Sequence, residues 1–226
     1  MKKVLLSMAF VTLGFVFANA QGRYESRHYN QENSSSGNIR YGFVAGMNVS
    51  NISSSDMDSK VGLRFGVKSE IGLPGLSEGG YFEVAALIDS KGAENDGATG
   101  YSKYTSYYID IPCHIGYKYV VDENVSLYGN AGPYFALGLF GKSRYYGMKD
   151  DSYTSYSSSL FGDNKMNRWD VGLGFQVGAE INEQVQVSMG YDFGLTSLYD
   201  DNSHFANSLG GNSKNRNFYL SVGFLF

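Results

Sequence analysis

From Phe218 to Phe226, apolar residues stand at every second position: Phe218, Leu220, Val222, Phe224 and Phe226 alternate with Tyr219, Ser221, Gly223 and Leu225. A strand throws successive side chains to opposite faces, so this segment presents one wholly apolar face and finishes on an aromatic residue with no polar cap. In water such an edge templates aggregation. In lipid a closed barrel removes it, because the last strand pairs with the first. What the rest of the chain must then supply is a set of partner strands.

Seven further runs share the period of two. Strand one, Ile39 to Ser50, sets Ile39, Tyr41, Phe43, Ala45, Met47 and Val49 against Arg40, Gly42, Val44, Gly46, Asn48 and Ser50. Strand two sets Val61, Leu63, Phe65, Val67 and Ile71 against Gly62, Arg64, Gly66, Lys68, Glu70 and Gly72. Strand three spans Phe82 to Asp89. Strand four, reaching Tyr119, carries Ile109, Ile111, Cys113, Ile115 and Tyr117 against Asp110, Pro112, His114, Gly116 and Lys118, and Pro112 predicts a bulge because it removes a ladder donor. Strands five, six and seven run over Val125–Leu139, Trp169–Glu180 and Val185–Leu195.

The connections alternate in length. Asn51–Ser59, Gly92–Lys103, Lys142–Met166 and Ser197–Lys214 read as long loops, whereas Pro74-Gly75, Asp122-Glu123-Asn124 and Asn182-Glu183-Gln184 read as short turns. An even strand number with short turns on one side and long loops on the other is the pattern of a transmembrane barrel, with the turns periplasmic and the loops outside. A soluble β-sandwich also alternates, but its second face should be rich in Lys, Glu and Thr. Here Gly dominates that face, which suits a narrow lumen. The expected fold is all-β: an eight-stranded antiparallel up-and-down transmembrane barrel.

Ahead of the barrel, Lys2 and Lys3, the apolar run Val4–Phe17 and Ala18-Asn19-Ala20 read as a cleaved signal peptide over residues 1–20. Residues 21–38 are polar and aperiodic, and are expected to form a flexible periplasmic leader. The barrel domain is then 39–226. With Lys2 and Lys3 set aside, the remaining basic residues are outnumbered by 22 acidic ones and form no cluster, which argues against nucleic acid as a partner. Cys113 is the only cysteine, so no internal disulfide can form.

Tyr108-x-x-Ile111-Pro112 with Lys118-Tyr119, followed by Gly132-Pro133-Tyr134, resembles the porin-family, PorT-like outer-membrane barrels of the Bacteroidota. The resemblance covers Ile39 to Phe226 and implies an outer-membrane location and fold. The terminal pattern Phe218, Leu220, Val222, Phe224, Phe226 is similar to the signal by which such barrels are recognised for assembly. Expected partners are outer-membrane lipid and the barrel assembly machinery, with a surface or secretion partner through the loops, and the chain is expected to be a monomer.

Charges on the non-apolar faces define the candidate site. If strands two and three pair about the turn near Leu76, Arg64 faces Asp89 and Lys68 lies diagonal to Glu83; Asp110, Lys118, Asp170, Glu180 and Asp192 also point inward. Such a set is either a constriction that selects solutes or a paired polar filling of a lumen too small for water flow, and the second is expected for about eight strands. His28, His114 and His204 are scattered, and His114 with Asp110 is their closest approach to a catalytic pairing, so no catalytic, metal or cofactor residue is expected. Asp150-Asp151 and Asp200-Asp201-Asn202 lack the spacing of a calcium site. Tyr145, Tyr146, Tyr153 and Tyr156 offer contact area to a partner or belong to an interfacial aromatic girdle. The expected role is structural or interactive through the external loops; the alternatives are a narrow channel for small solutes and, more weakly, a secretion accessory or lipid-modifying barrel.

Overall fold

The computed structural model describes residues 39–53, 58–73, 79–97, 100–149, 152–161, 166–198 and 213–226. The signal-peptide and leader segments, His28, His204, Asp150-Asp151 and Asp200-Asp201-Asn202 lie outside the described residues. The strands are β1 (Ile39–Ile52), β2 (Asp58–Gly72), β3 (Gly80–Gly97), β4 (Gly100–Asp122), β5 (Val125–Lys149), β6 (Ser152–Ser159), β7 (Trp169–Ile181), β8 (Val185–Gly194) and β9 (Asn215–Leu225).

Eight of them form the wall. Each pairs antiparallel with its sequence neighbour, β6 being bypassed where β5 pairs β7, and the β1–β9 and β4–β5 ladders complete the ring. Phe218 to Leu225 therefore lies between Val49–Gly42 of β1 and the β8 strand, as the alternation of that segment requires. Stepping across paired residues from Ile39 through Ile71, Phe82, Ile115, Ala131, Phe175, Tyr191 and Phe218 returns to β1 at Val49, ten residues further on. A stagger of that size over eight strands tilts them by about 40° and leaves an interior that side chains can fill.

The outer wall is apolar. Phe43 is 60% exposed and Leu63 61%, and Phe65, Ile115, Leu173, Val187, Leu220 and Phe224 stand out beside them, while the alternate positions are buried in the lumen. Cys113 faces outward and is half-buried. The turn between β7 and β8 places Asn182 and Glu183 at φ 50 and 57, with the Gln184 N–H donating to the Ile181 carbonyl at 3.1 Å. Two positive-φ central residues are the geometry whose twist matches a tight antiparallel hairpin.

Three local expectations are corrected. Pro112 causes no bulge: the ladders are interrupted beside it, but their register is the same on either side of each gap. Register shifts in the β4–β5 ladder fall instead at Tyr107/Tyr108, where β5 carries one extra residue, and at Val120/Asp122 beside the turn. Gly92–Lys103 is largely strand, since β3 and β4 stay paired out to Gly97 and Gly100. Lys142–Met166 is not an irregular loop either, because β5 continues to Lys149 and turns back as β6, from Lys142↔Ser159 to Lys149↔Ser152. Beyond the membrane both faces of a strand meet water, so the apolar/polar alternation that marks a strand in sequence disappears while the backbone pairing continues.

Glycine accounts for the packing of the lumen. Tyr81, Tyr128, Tyr134 and Tyr219 each lie directly opposite a glycine: Gly116, Gly178, Gly172 and Gly190 respectively. A Cβ built on Gly190 would sit 2.3 Å from the Tyr219 ring, and one on Gly116 would sit 2.5 Å from the Tyr81 ring. The missing side chain is what lets each ring lie flat against the wall. Gly190→Val should destabilise the barrel by about 1–3 kcal/mol through overpacking. The temperature at which the folded, fast-migrating species is lost in a detergent gel should fall accordingly, and an unchanged temperature would show that the ring can move aside.

Candidate functional site

The lumen is built in layers. Toward the turns, Lys68 lies 2.7 Å from Glu83 and 3.0 Å from Glu70, and Lys118 lies 2.6 Å from Glu70 and also pairs with Glu180. Arg40 joins Glu70 at 2.6 Å to Glu180 at 2.9 Å, and donates to the Glu183 carbonyl at 3.1 Å. Gln186 completes this layer, its amide donating to Glu70 at 2.8 Å and Glu180 at 2.6 Å while its oxygen accepts from Lys68. Three cations meet three carboxylates here, and each charge touches a partner.

The second layer lies toward the opposite end. Arg64 is 3.3 Å from Asp89, 3.8 Å from Asp192 and 4.0 Å from Asp110, with its guanidinium 3.7 Å above the Tyr219 ring. Lys91 lies 3.3 Å from Asp110 and 3.9 Å from Asp170, between the rings of Tyr108 and Tyr134. Two cations face four carboxylates, and neutral donors reach two of the four, Asp170 and Asp192, whereas both Asp89 oxygens are buried without a hydrogen-bond donor. Asp170 accepts from Asn215 at 2.8 Å and from the Tyr134 and Thr196 hydroxyls at 3.3 Å, and Asp192 accepts from Asn217 at 3.2 Å. Hydrogen bonds to the charged form are what make a buried carboxylate tolerable. Asp89, Asp110 and Asp192 approach closely enough to hold a metal ion, but Arg64 ion-pairs with all three.

Between the layers His114 shares a 3.1 Å hydrogen bond with Asn130, whose amide donates to the Tyr81 hydroxyl at 3.1 Å. Asp110, expected beside His114, is turned to Lys91 and Arg64. A cavity of about 20 Å³ lined by Arg64, Lys68, Glu83, His114, Gln186 and Tyr219 separates the layers. That is room for about one water molecule.

At the end away from the turns, Ile52, Ala93, Tyr108, Tyr134, Ala136, Leu160, Phe161, Met166 and Leu198 form a buried apolar cluster. Phe161 meets Tyr108 edge-on at 5.9 Å and lies over Gly138, where a Cβ would come within 2.4 Å of its ring. Leu160 and Phe161, which follow β6, are thus buried at this end of the barrel.

All nine charges singled out in the sequence point into this lumen: Arg64, Lys68, Glu83, Asp89, Asp110, Lys118, Asp170, Glu180 and Asp192. They fall into two groups rather than one. Arg64 and Asp89 are direct cross-strand partners, and Lys68 is diagonal to Glu83. Arg40, Glu70, Lys91 and Gln186 also belong to the site, and sequence reasoning left them out. Arg40 and Glu70 share the inward parity and are direct cross-strand partners 2.6 Å apart, a pair the register of the first two strands implies, whereas Glu180, the second partner of Arg40, lies far along the chain. Lys91 continues the inward face two residues beyond Asp89 and becomes visible only if strand three is extended.

An apolar outer wall around a charged, internally paired lumen defines a transmembrane β-barrel. A family model described as "Outer membrane protein beta-barrel domain" matches residues 12–200, and the chain belongs to that family and resides in the outer membrane. Among solved structures, Neisserial surface protein A is 14% identical, with 83% of this chain and 97% of that one covered and a TM-score of 0.44. Ail, the attachment invasion locus protein of Yersinia pestis, is 14% identical over 83% and 98%, with a TM-score of 0.40. OprG from Pseudomonas aeruginosa is 12% identical over 83% and 95%, with a TM-score of 0.39. No curated protein matches the chain.

Removing one member of a buried pair strands the other. Arg64→Met should cost about 3–5 kcal/mol. Arg40→Met should cost less, because the Arg40 side chain is 21% exposed and water can replace it. Urea unfolding in lipid vesicles reads both, and equal losses would show that the lumen is wetter than its packing indicates.

Proposed function

We propose that this chain is a non-catalytic outer-membrane barrel acting through the strands it projects outside the cell, and not a conduit. The carrying observation is the filled lumen: among the described residues two layers of ion pairs, a gap of about 20 Å³ and an apolar cluster occupy the interior. Solute passage needs a wetted route, and desolvated charges fixed to each other do not supply one.

The interaction reading draws on strand length. A tilted strand crosses the bilayer core in about 9–11 residues. β4 has 23 residues and β5 has 25, and β3, β4, β5 and β6 stay paired as one sheet above the wall. A paired sheet is a stiffer platform for a partner than an irregular loop. Short turns at the other end put that end in the periplasm. The non-catalytic reading is supported by His114, the one described histidine, whose Nδ1 is engaged by Asn130 at 3.1 Å inside the lumen. Kinship with PorT-like barrels of the Bacteroidota belongs to the same proposal and is supported by the motifs at Tyr108–Pro112, Lys118-Tyr119 and Gly132–Tyr134. In it Phe218, Leu220, Val222, Phe224 and Phe226 serve as the handle for the assembly machinery, and the barrel is monomeric.

Purified protein in planar bilayers should give no stable conductance steps. Steps whose size changes in Asp89→Asn would favour the narrow channel instead. Orientation is tested separately in a Cys113→Ser background: a membrane-impermeant maleimide added to intact cells should label Arg144→Cys in the projecting part of β5 but not Glu123→Cys in the β4–β5 turn. The reverse pattern would invert the topology.

A further inference from the structure

Arginine occurs on the outer wall as well as in the lumen. Arg216 belongs to the outward-facing set of β9, between Asn51 of β1 and Phe193 of β8, and its side chain is exposed. Arg40 and Arg64 are held by carboxylates, whereas no acidic side chain among the described residues pairs with Arg216. On the lipid face an arginine costs about 2–4 kcal/mol at mid-bilayer and little near the interface, where it can reach a headgroup. Arg216 sits at the interfacial end: one step toward mid-bilayer, Phe218 pairs with Val49 and Tyr191 on the apolar belt.

A groove of about 390 Å³ opens at this position. Its polar end carries Arg216, Ser53 and Ser59, and its apolar end Val49, Tyr191 and Phe218. The backbone N–H of Lys214 donates to the Ser53 hydroxyl at 3.0 Å and fixes that side chain at the polar end. Cationic and hydroxyl donors above, with an apolar trough below, are complementary to an amphiphile with an anionic head. Guanidinium is suited to phosphate, since its fork donates two parallel hydrogen bonds.

We propose that this groove binds a phosphorylated lipid of the outer leaflet, the phosphate resting on Arg216 and an acyl chain lying along Val49, Phe218 and Tyr191. The leaflet assignment rests on the orientation proposed above, while the binding itself does not.

The test uses the full-length protein in nanodiscs of zwitterionic phosphatidylcholine doped with phosphorylated lipid A, with retained lipid counted by native mass spectrometry. Both leaflets are accessible there, so a reversed topology, read by the labelling experiment, would leave the result intact. One lipid A should be retained per barrel, Arg216→Ala should reduce retention about tenfold, which corresponds to one charge-assisted hydrogen-bonded contact, and Arg144→Ala, removing an equal charge elsewhere, should leave it unchanged. Dephosphorylated lipid A should be lost, and millimolar inorganic phosphate should not displace the phosphorylated form. Equal retention by Arg216→Ala, equal retention of the dephosphorylated lipid, or displacement by inorganic phosphate would each overturn the proposal, the last by showing a bare anion site.

Discussion

The closure of eight strands at a stagger of ten residues is the constraint on which the rest of this structure depends. It produces a ring too narrow to hold bulk water, so inward charges are answered chiefly by other inward groups. Arg40 on the first strand reaches Glu180 on the seventh, and Lys68 reaches Gln186 on the eighth. These contacts exist only once the ring is shut. They tie strands distant in sequence directly to one another, so the polar interior reports closure in a way that the strand ladders alone do not.

This interior also explains the division of labour along the molecule. Where charges sit in a confined space, replacing a pair with apolar groups is often neutral, so the pairs argue for a specified arrangement more than for stability as such. The filled middle contrasts with the sheet that β3, β4, β5 and β6 continue above the wall, where the pairing is between strands and not across a lumen. Leu160, Phe161, Met166 and Leu198 add an apolar layer between the charged interior and that sheet.

Much of the wall was legible in the sequence. From Ile39 to Phe226 the alternation of apolar and Gly-rich faces identified eight strands, the lipid-facing residues and the pairing of the last strand with the first, because lipid on one side and a lumen on the other write different chemistry into alternate positions. Legibility stopped where that asymmetry stops. Gly92–Lys103 and Lys142–Met166 pair outside the bilayer, and their residues carry no contrast between faces. The lumen was half legible: Arg64 with Asp89 is a neighbour-strand pair fixed by one turn, but Arg40 with Glu180 depends on the whole circuit of the barrel. Pro112 misled because a missing donor need not shift register when the ladder can simply skip a pair.

Each lumen tyrosine facing a glycine has a consequence for assembly. If β9 slid by two residues along β8, inward and outward faces would be preserved, and the apolar belt alone would not register the error. Tyr219 would then meet Ser188 or Asp192 instead of Gly190, with a side chain where the ring must lie. The same holds for Tyr81 against His114 or Lys118 on the β3–β4 seam. Four rings on three seams act as keys cut for single positions, making misaligned closures sterically costly in a protein whose hydrophobic pattern would tolerate them.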